Sequence, residues 1–179
     1  EESTPEDFGR IAAFAAKLVD VCRHEAGRPV ADGFRELAGW EHYTAAAARG
    51  RGVLLVTPHL GNWELGAPLL AARGVRLLVL TQAEPGEGFT AQRAAARGRG
   101  GVETVVVGGD AFGFVEVIRR LEAGVAVALL VDRPPPGTGV MSEFFGRPFP
   151  ASAAPAELAR ATGCAVVPVV LPAVAAGSA

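Results

Sequence analysis

In "PEDFGRIAAFAAKLVDVCRHE" the apolar residues Phe8, Ile11, Phe14, Ala15, Leu18 and Val19 recur at three- and four-residue intervals. That spacing predicts an amphipathic helix. Two shorter helical stretches are expected after it, roughly Ala31 to Leu37 and Glu41 to Ala48, the latter closed by Gly50. From Val53 onward the period changes. "VLLVT", "RLLVLT", "ETVVV", "VAVALLV" and "AVVPVVL" are short β-branched or leucine-rich runs separated by helix-like stretches. Continuous apolar strands alternating with helices predict an α/β fold, a mostly parallel central sheet flanked by helices, preceded by an N-terminal helical segment. Asp110 is the expected N-cap of a helix reaching Glu122, and Ser152 that of a helix ended by Gly163. The prolines and glycines of "DRPPPGTGVMSEFFGRPFPAS" exclude regular structure from most of it, leaving a loop with one short edge strand around Val140 to Phe145.

The 179 residues, half of them apolar, suit a single domain with a substantial core: a helical part over 1–50 and an α/β core over 51–172. The chain opens on "EESTPEDF" and stops at "LPAVAAGSA", directly after an expected core strand, so truncation at either end is the expectation. A net charge of −2 with scattered arginines argues against a nucleic-acid partner. Cys22 and Cys164 fall in a predicted helix and a predicted strand and read as buried thiols rather than as a disulfide or metal pair. The longest clean apolar run is "VAVALLV", whereas a spanning helix needs roughly 20 such residues.

The candidate chemistry lies in "VTPHLGNWELG", where His59 follows the first strand by two residues and Glu64 comes five positions later. Ligands of α/β sheets bind at the carboxyl ends of strands, which is where His59 falls. On one regular helix five residues would turn Glu64 about 140° away from His59, so the two meet only if the chain curls. Gly61 permits a sharp turn, and Asn62 is a suitable N-cap for a helix with Glu64 in its first turn. Glu64 is then expected to accept a hydrogen bond from one ring nitrogen of His59, leaving the other as a general base. A loop histidine with no chemistry fits the same pattern. A metal site would want a second histidine at helical spacing, which His24 and His42 do not supply, and no GxSxG elbow is present. Pro68 removes the bond to the Glu64 carbonyl and should kink the second turn.

"GWEHYTAAAARGRGVLLVTPHLGNWELG", "VDRPPPGTGVMSEFFGRPF" and "PAELARATGCAVVPVVLP", in that order, resemble the bacterial lysophospholipid-type acyltransferases. That family includes the lipid A late acyltransferases and the actinobacterial phosphatidylinositol mannoside acyltransferases, and its hallmark is His, four residues, then Asp or Glu. The likeness covers most of Gly39 to Pro172. It implies an O-acyltransferase in which His59, assisted by Glu64, deprotonates a glycolipid hydroxyl as it attacks the thioester of acyl-CoA or acyl carrier protein. No cofactor beyond that co-substrate is implied. A peripheral place on the cytoplasmic face of the membrane is. Arg97 best fits the family's phosphate-fixing arginine, with Arg93 beside it; a solvated helix face is the alternative for both. Asp132 and Arg133 follow a strand and can serve the site or anchor the loop. Glu143 precedes the FFG element, where some members place an acidic residue near the site. Phe144 and Phe145 can wall an acyl tunnel or be plain core, and Asn62 is a candidate oxyanion donor.

Against the family it resembles, no spanning N-terminal anchor of the lipid A kind is expected from these residues, and the chain reads "FPASAAPAELA" where that family often carries a Thr-Pro-like turn. Abundant Ala, Gly and Arg hint at a GC-rich genome and favour the mannoside branch. Two other functions stay open: a non-catalytic lipid or acyl-carrier binding module, and a thioesterase or esterase using the same histidine on water. The amphipathic helix around Glu6 to Glu25 can either lie on a membrane surface or pack on the sheet.

Overall fold

The computed structural model describes residues 5–30, 34, 36–83, 88–107 and 112–172. Its centre is a five-stranded sheet of β1 (Val53–Thr57), β2 (Leu77–Gln82), β3 (Glu103–Val107), β4 (Ala126–Leu130) and β7 (Ala165–Pro168), in the order β3-β2-β4-β1-β7. Every neighbouring pair is parallel. Each apolar run of the α/β half therefore supplies one strand, because a parallel sheet covered on both faces needs no polar alternation.

The two faces separate by residue parity. Leu54, Leu78 and Val127 pack with Val117 and Leu121 of α5 (Phe112–Glu122) and Leu158 of α6 (Ala154–Thr162). Val53, Leu55 and Leu77 pack with Ala46 of α2 (Trp40–Ala47) and Leu70 and Ala71 of α3 (Trp63–Ala72). Two successive residues of one strand thus anchor opposite helical layers. α4 (Phe89–Arg99) runs between β2 and β3. α3 continues through Pro68 to Ala72.

Several expectations are corrected. The proline-rich segment holds a hairpin, β5 (Gly139–Phe144) paired antiparallel with β6 (Arg147–Ser152). Pro148 and Pro150 fit because the hairpin has free edges, where a missing N–H costs no ladder bond. Phe144 and Phe145 are not core: Phe145 is 90% exposed at the tip. Cys22 is exposed, while Cys164 is buried just before β7; both are free thiols. Of the expected helix from Ala31 to Leu37, the described members Phe34, Glu36 and Leu37 are not helical, and the others lie outside the described residues, as does Asp110. Ser152 closes β6 one residue ahead of the formal cap, and its Oγ accepts from the Ala154 N–H at 3.3 Å.

The long N-terminal helix α1 (Pro5–Glu25) does not lay its apolar stripe on the sheet. Phe8, Ile11 and Phe14 are 62%, 63% and 56% exposed, and Leu18 and Val19 are exposed as well. Toward the end of the helix, Val21 packs against the small buried cluster of Val30, Leu65 and Leu69.

Candidate active site

β1 and β4 are adjacent, and their register pairs Thr57 with Leu130. Two residues beyond each partner stand His59 and Asp132. The parallel register therefore delivers an imidazole and a carboxylate to the same level at the carboxyl end of the sheet. Asp132 holds His59 twice: Oδ1 lies 2.8 Å from Nδ1, and Oδ2 accepts from the His59 backbone N–H at 3.0 Å. Both side chains are about four-fifths covered, at 19% and 20% exposure. Burial alone would raise the Asp132 carboxyl, but the hydrogen bonds from the His59 N–H and ring outweigh it and hold it below its ordinary value. An ionised carboxylate only accepts, so Nδ1 carries the proton, and in the neutral imidazole Nε2 is the nitrogen left with a lone pair.

Glu64 does something else. Its Oε1 is paired with Arg93 and its Oε2 with Arg97 at 3.3 Å, both arginines coming from α4. The expected Glu64–His59 hydrogen bond is thus replaced by Asp132 on the histidine and by an arginine pair on the glutamate. The cause is α3, whose first turn carries Glu64 toward α4 and away from the ring. Burial raises the Glu64 carboxyl, but Arg93, Arg97 and Lys17 together overcome it and leave it below the usual carboxylate range.

The turn between strand and helix is held by Gly61 at φ 63°, and a Cβ there would sit 1.6 Å from the Leu171 carbonyl oxygen. Only glycine allows that approach. Asn62 occupies the N-cap position of α3 without capping it; its Nδ2 reaches the Lys17 carbonyl and Asp20 Oδ2, each at 3.5 Å, while its Oδ1 is buried without a hydrogen-bond partner. Those contacts turn the amide donors toward α1. Trp63 meets the His59 ring edge-on, centroids 4.7 Å apart at 78°, and carries the Lys17 ammonium 2.9 Å from its own ring centroid.

Of the other sequence candidates, Arg133 is exposed beside Asp132. Glu143 and Phe144 stand exposed on β5, where Phe144 contacts Phe145 and Phe149. They are not among the residues gathered around His59. Sequence reasoning missed Lys17 and Trp63, and it missed the role of Asp132. Among the described residues no group of three or more His, Cys, Asp and Glu is placed to hold a metal.

A parallel α/β domain with a carboxylate-oriented histidine at the carboxyl ends of its central strands, backed by a glutamate-held arginine pair, belongs to the class of folds that seat a ligand at that edge. The particular family is shown by comparison: residues 8–177 match the model of the bacterial lipid A biosynthesis acyltransferases, and the chain belongs to that family. Proteins named phosphatidylinositol mannoside acyltransferase from two strains of Mycobacterium tuberculosis are 29% and 32% identical over 164 residues, covering 91% of this chain and 51% of theirs. One of the same name from Mycolicibacterium smegmatis is 32% identical over 131 residues, covering 72% of this chain and 43% of its own. The chain thus spans about half the length of the relatives it matches.

Proposed function

We propose that this chain carries the catalytic centre of an O-acyltransferase that moves a fatty acyl group from a thioester donor, acyl-CoA or acyl carrier protein, to a hydroxyl of a membrane glycolipid. A phosphatidylinositol mannoside is the favoured acceptor, on the names of the relatives. The observation that carries the reading is the 2.8 Å contact between His59 Nδ1 and Asp132. It leaves Nε2 as the proton acceptor. Nε2 takes the proton of the acceptor hydroxyl as the oxygen attacks the thioester carbonyl carbon. The tetrahedral intermediate then expels the thiolate, which takes the proton back from the imidazolium, and ester and thiol leave. Asp132 stabilises the imidazolium between the two steps.

Glu64 contributes through Arg93 and Arg97, which it holds beside the loop. Guanidiniums fixed in that way suit a phosphate of the donor or of the acceptor headgroup, through paired N–H donors. The acyl product and any glycolipid acceptor live in a bilayer, which brings the reaction to a lipid surface, and the donors put it on the cytoplasmic face. No helix among the described residues is long and apolar enough to cross a membrane. The exposed stripe of α1 is the element suited to lie in the interface.

Labelled acyl-CoA, incubated with and without candidate glycolipids, tests the reading. Acceptor-dependent transfer of label, lost in His59→Ala, is the expected result. Thiol release independent of acceptor would make the protein a thioesterase, and donor binding without turnover would make it a carrier module.

A further inference from the structure

Asp132 fixes the His59 ring only at one edge. That single ring contact, at Nδ1, leaves the direction of Nε2 to depend on what else touches the imidazole. Trp63 does so, edge-on to the imidazole at 4.7 Å. Trp63 is itself the first residue of α3 and only half-buried, so it needs a support of its own. Lys17 supplies one from α1: its ammonium sits over the indole 2.9 Å from the centroid, a cation–π contact. The same helix takes the Asn62 amide through the Lys17 carbonyl and Asp20, and Lys17 adds its charge to the field around Glu64. Three successive residues at the start of α3, Asn62, Trp63 and Glu64, therefore answer to one turn of α1.

We propose that Lys17 and Trp63 are positioning residues that hold the His59 imidazole for proton transfer, so that the N-terminal helix forms part of the active site. The proposal rests on the acyltransferase reading. It assigns no substrate contact to either residue. Lys17 acts through Trp63, and Trp63 acts on the orientation of Nε2. Losing the ammonium should lower kcat and leave the KM for the acyl donor unchanged. Arginine should restore the function, because a guanidinium also stacks on an indole face.

Two arms test it. In the first, Lys17→Met keeps the apolar stem and removes the charge, while Lys17→Arg keeps both. A roughly 5- to 10-fold fall in kcat for Lys17→Met at constant donor KM, with near-complete recovery in Lys17→Arg, is expected for a contact of about 1 kcal/mol at the transition state. Unchanged kcat, or a loss confined to KM, overturns the proposal.

The second arm needs no activity. Trp40→Phe leaves Trp63 as the sole tryptophan, since the chain has two. A protonated imidazole quenches an adjoining indole, so Trp63 emission should fall as His59 protonates, and the pH step should vanish in Trp40→Phe/His59→Gln. Emission that does not respond to His59 overturns the contact. If the wild-type protein transfers acyl groups to no acceptor, the functional reading fails and this second arm still decides the geometry.

Discussion

Asp132 takes the role that the sequence suggests for Glu64, while Glu64 holds an arginine pair, and the difference has measurable consequences. The folded-state value of the Glu64 carboxyl is depressed, so its ion pairs contribute stability that is fully present above the unfolded value near 4.5 and is lost as pH falls through the lower folded value. Glu64→Gln removes the carboxylate charge that the largely covered Arg93 and Arg97 guanidiniums face and should cost on the order of 3 kcal/mol at pH 7. Thermal midpoints of the two proteins should differ most at neutral pH and converge as pH falls through the lowered folded-state value of Glu64; a gap that is constant with pH would remove the ion pairs as its cause. Gly61 is the second sensitive position. Gly61→Ala combines a left-handed backbone with a clash against the Leu171 carbonyl and should cost ~3 kcal/mol or more. A urea midpoint equal to wild type would show that the turn relaxes. His59, Glu64 and the turn at Gly61 were legible in the sequence because they lie within six residues. The Asp132 partnership was not, because 73 residues separate it from His59 and only strand order and register bring them level.

At the scale of elements, the five strands were legible because burial on both faces of a parallel sheet leaves uninterrupted apolar runs. β6 was not: prolines at 148 and 150 forbid a central strand and are tolerated only on a free edge. The amphipathic period of α1 was plain, but which way its stripe faces was not, since the same period serves a helix on a sheet and a helix on a lipid surface. With Phe8 and Ile11 exposed, Phe8→Ser together with Ile11→Ser should leave the fold intact and weaken co-sedimentation with anionic phospholipid vesicles. Vesicle binding equal to wild type, or unfolding of the variant, would contradict an interfacial role for this face.

Across the whole molecule, the site is assembled from elements distant in the chain. α1 brings Lys17, the loop after β1 brings His59, α4 brings Arg93 and Arg97, and the end of β4 brings Asp132. By its family match the chain belongs to the bacterial lipid A biosynthesis acyltransferases. The central mechanistic claim is that Asp132 orients the general base and Glu64 holds the arginines. Steady-state kinetics of Asp132→Asn and Glu64→Gln, with acyl donor and glycolipid acceptor varied in turn, test it most directly. An asparagine can turn its NH2 toward Nδ1 and favour the wrong tautomer, so Asp132→Asn should lose roughly 10²-fold or more in kcat with substrate KM nearly unchanged. Glu64→Gln should act mainly through KM as Arg93 and Arg97 lose their anchor. The opposite pattern, kcat lost in Glu64→Gln and retained in Asp132→Asn, would return the role of orienting His59 to Glu64 and contradict the account.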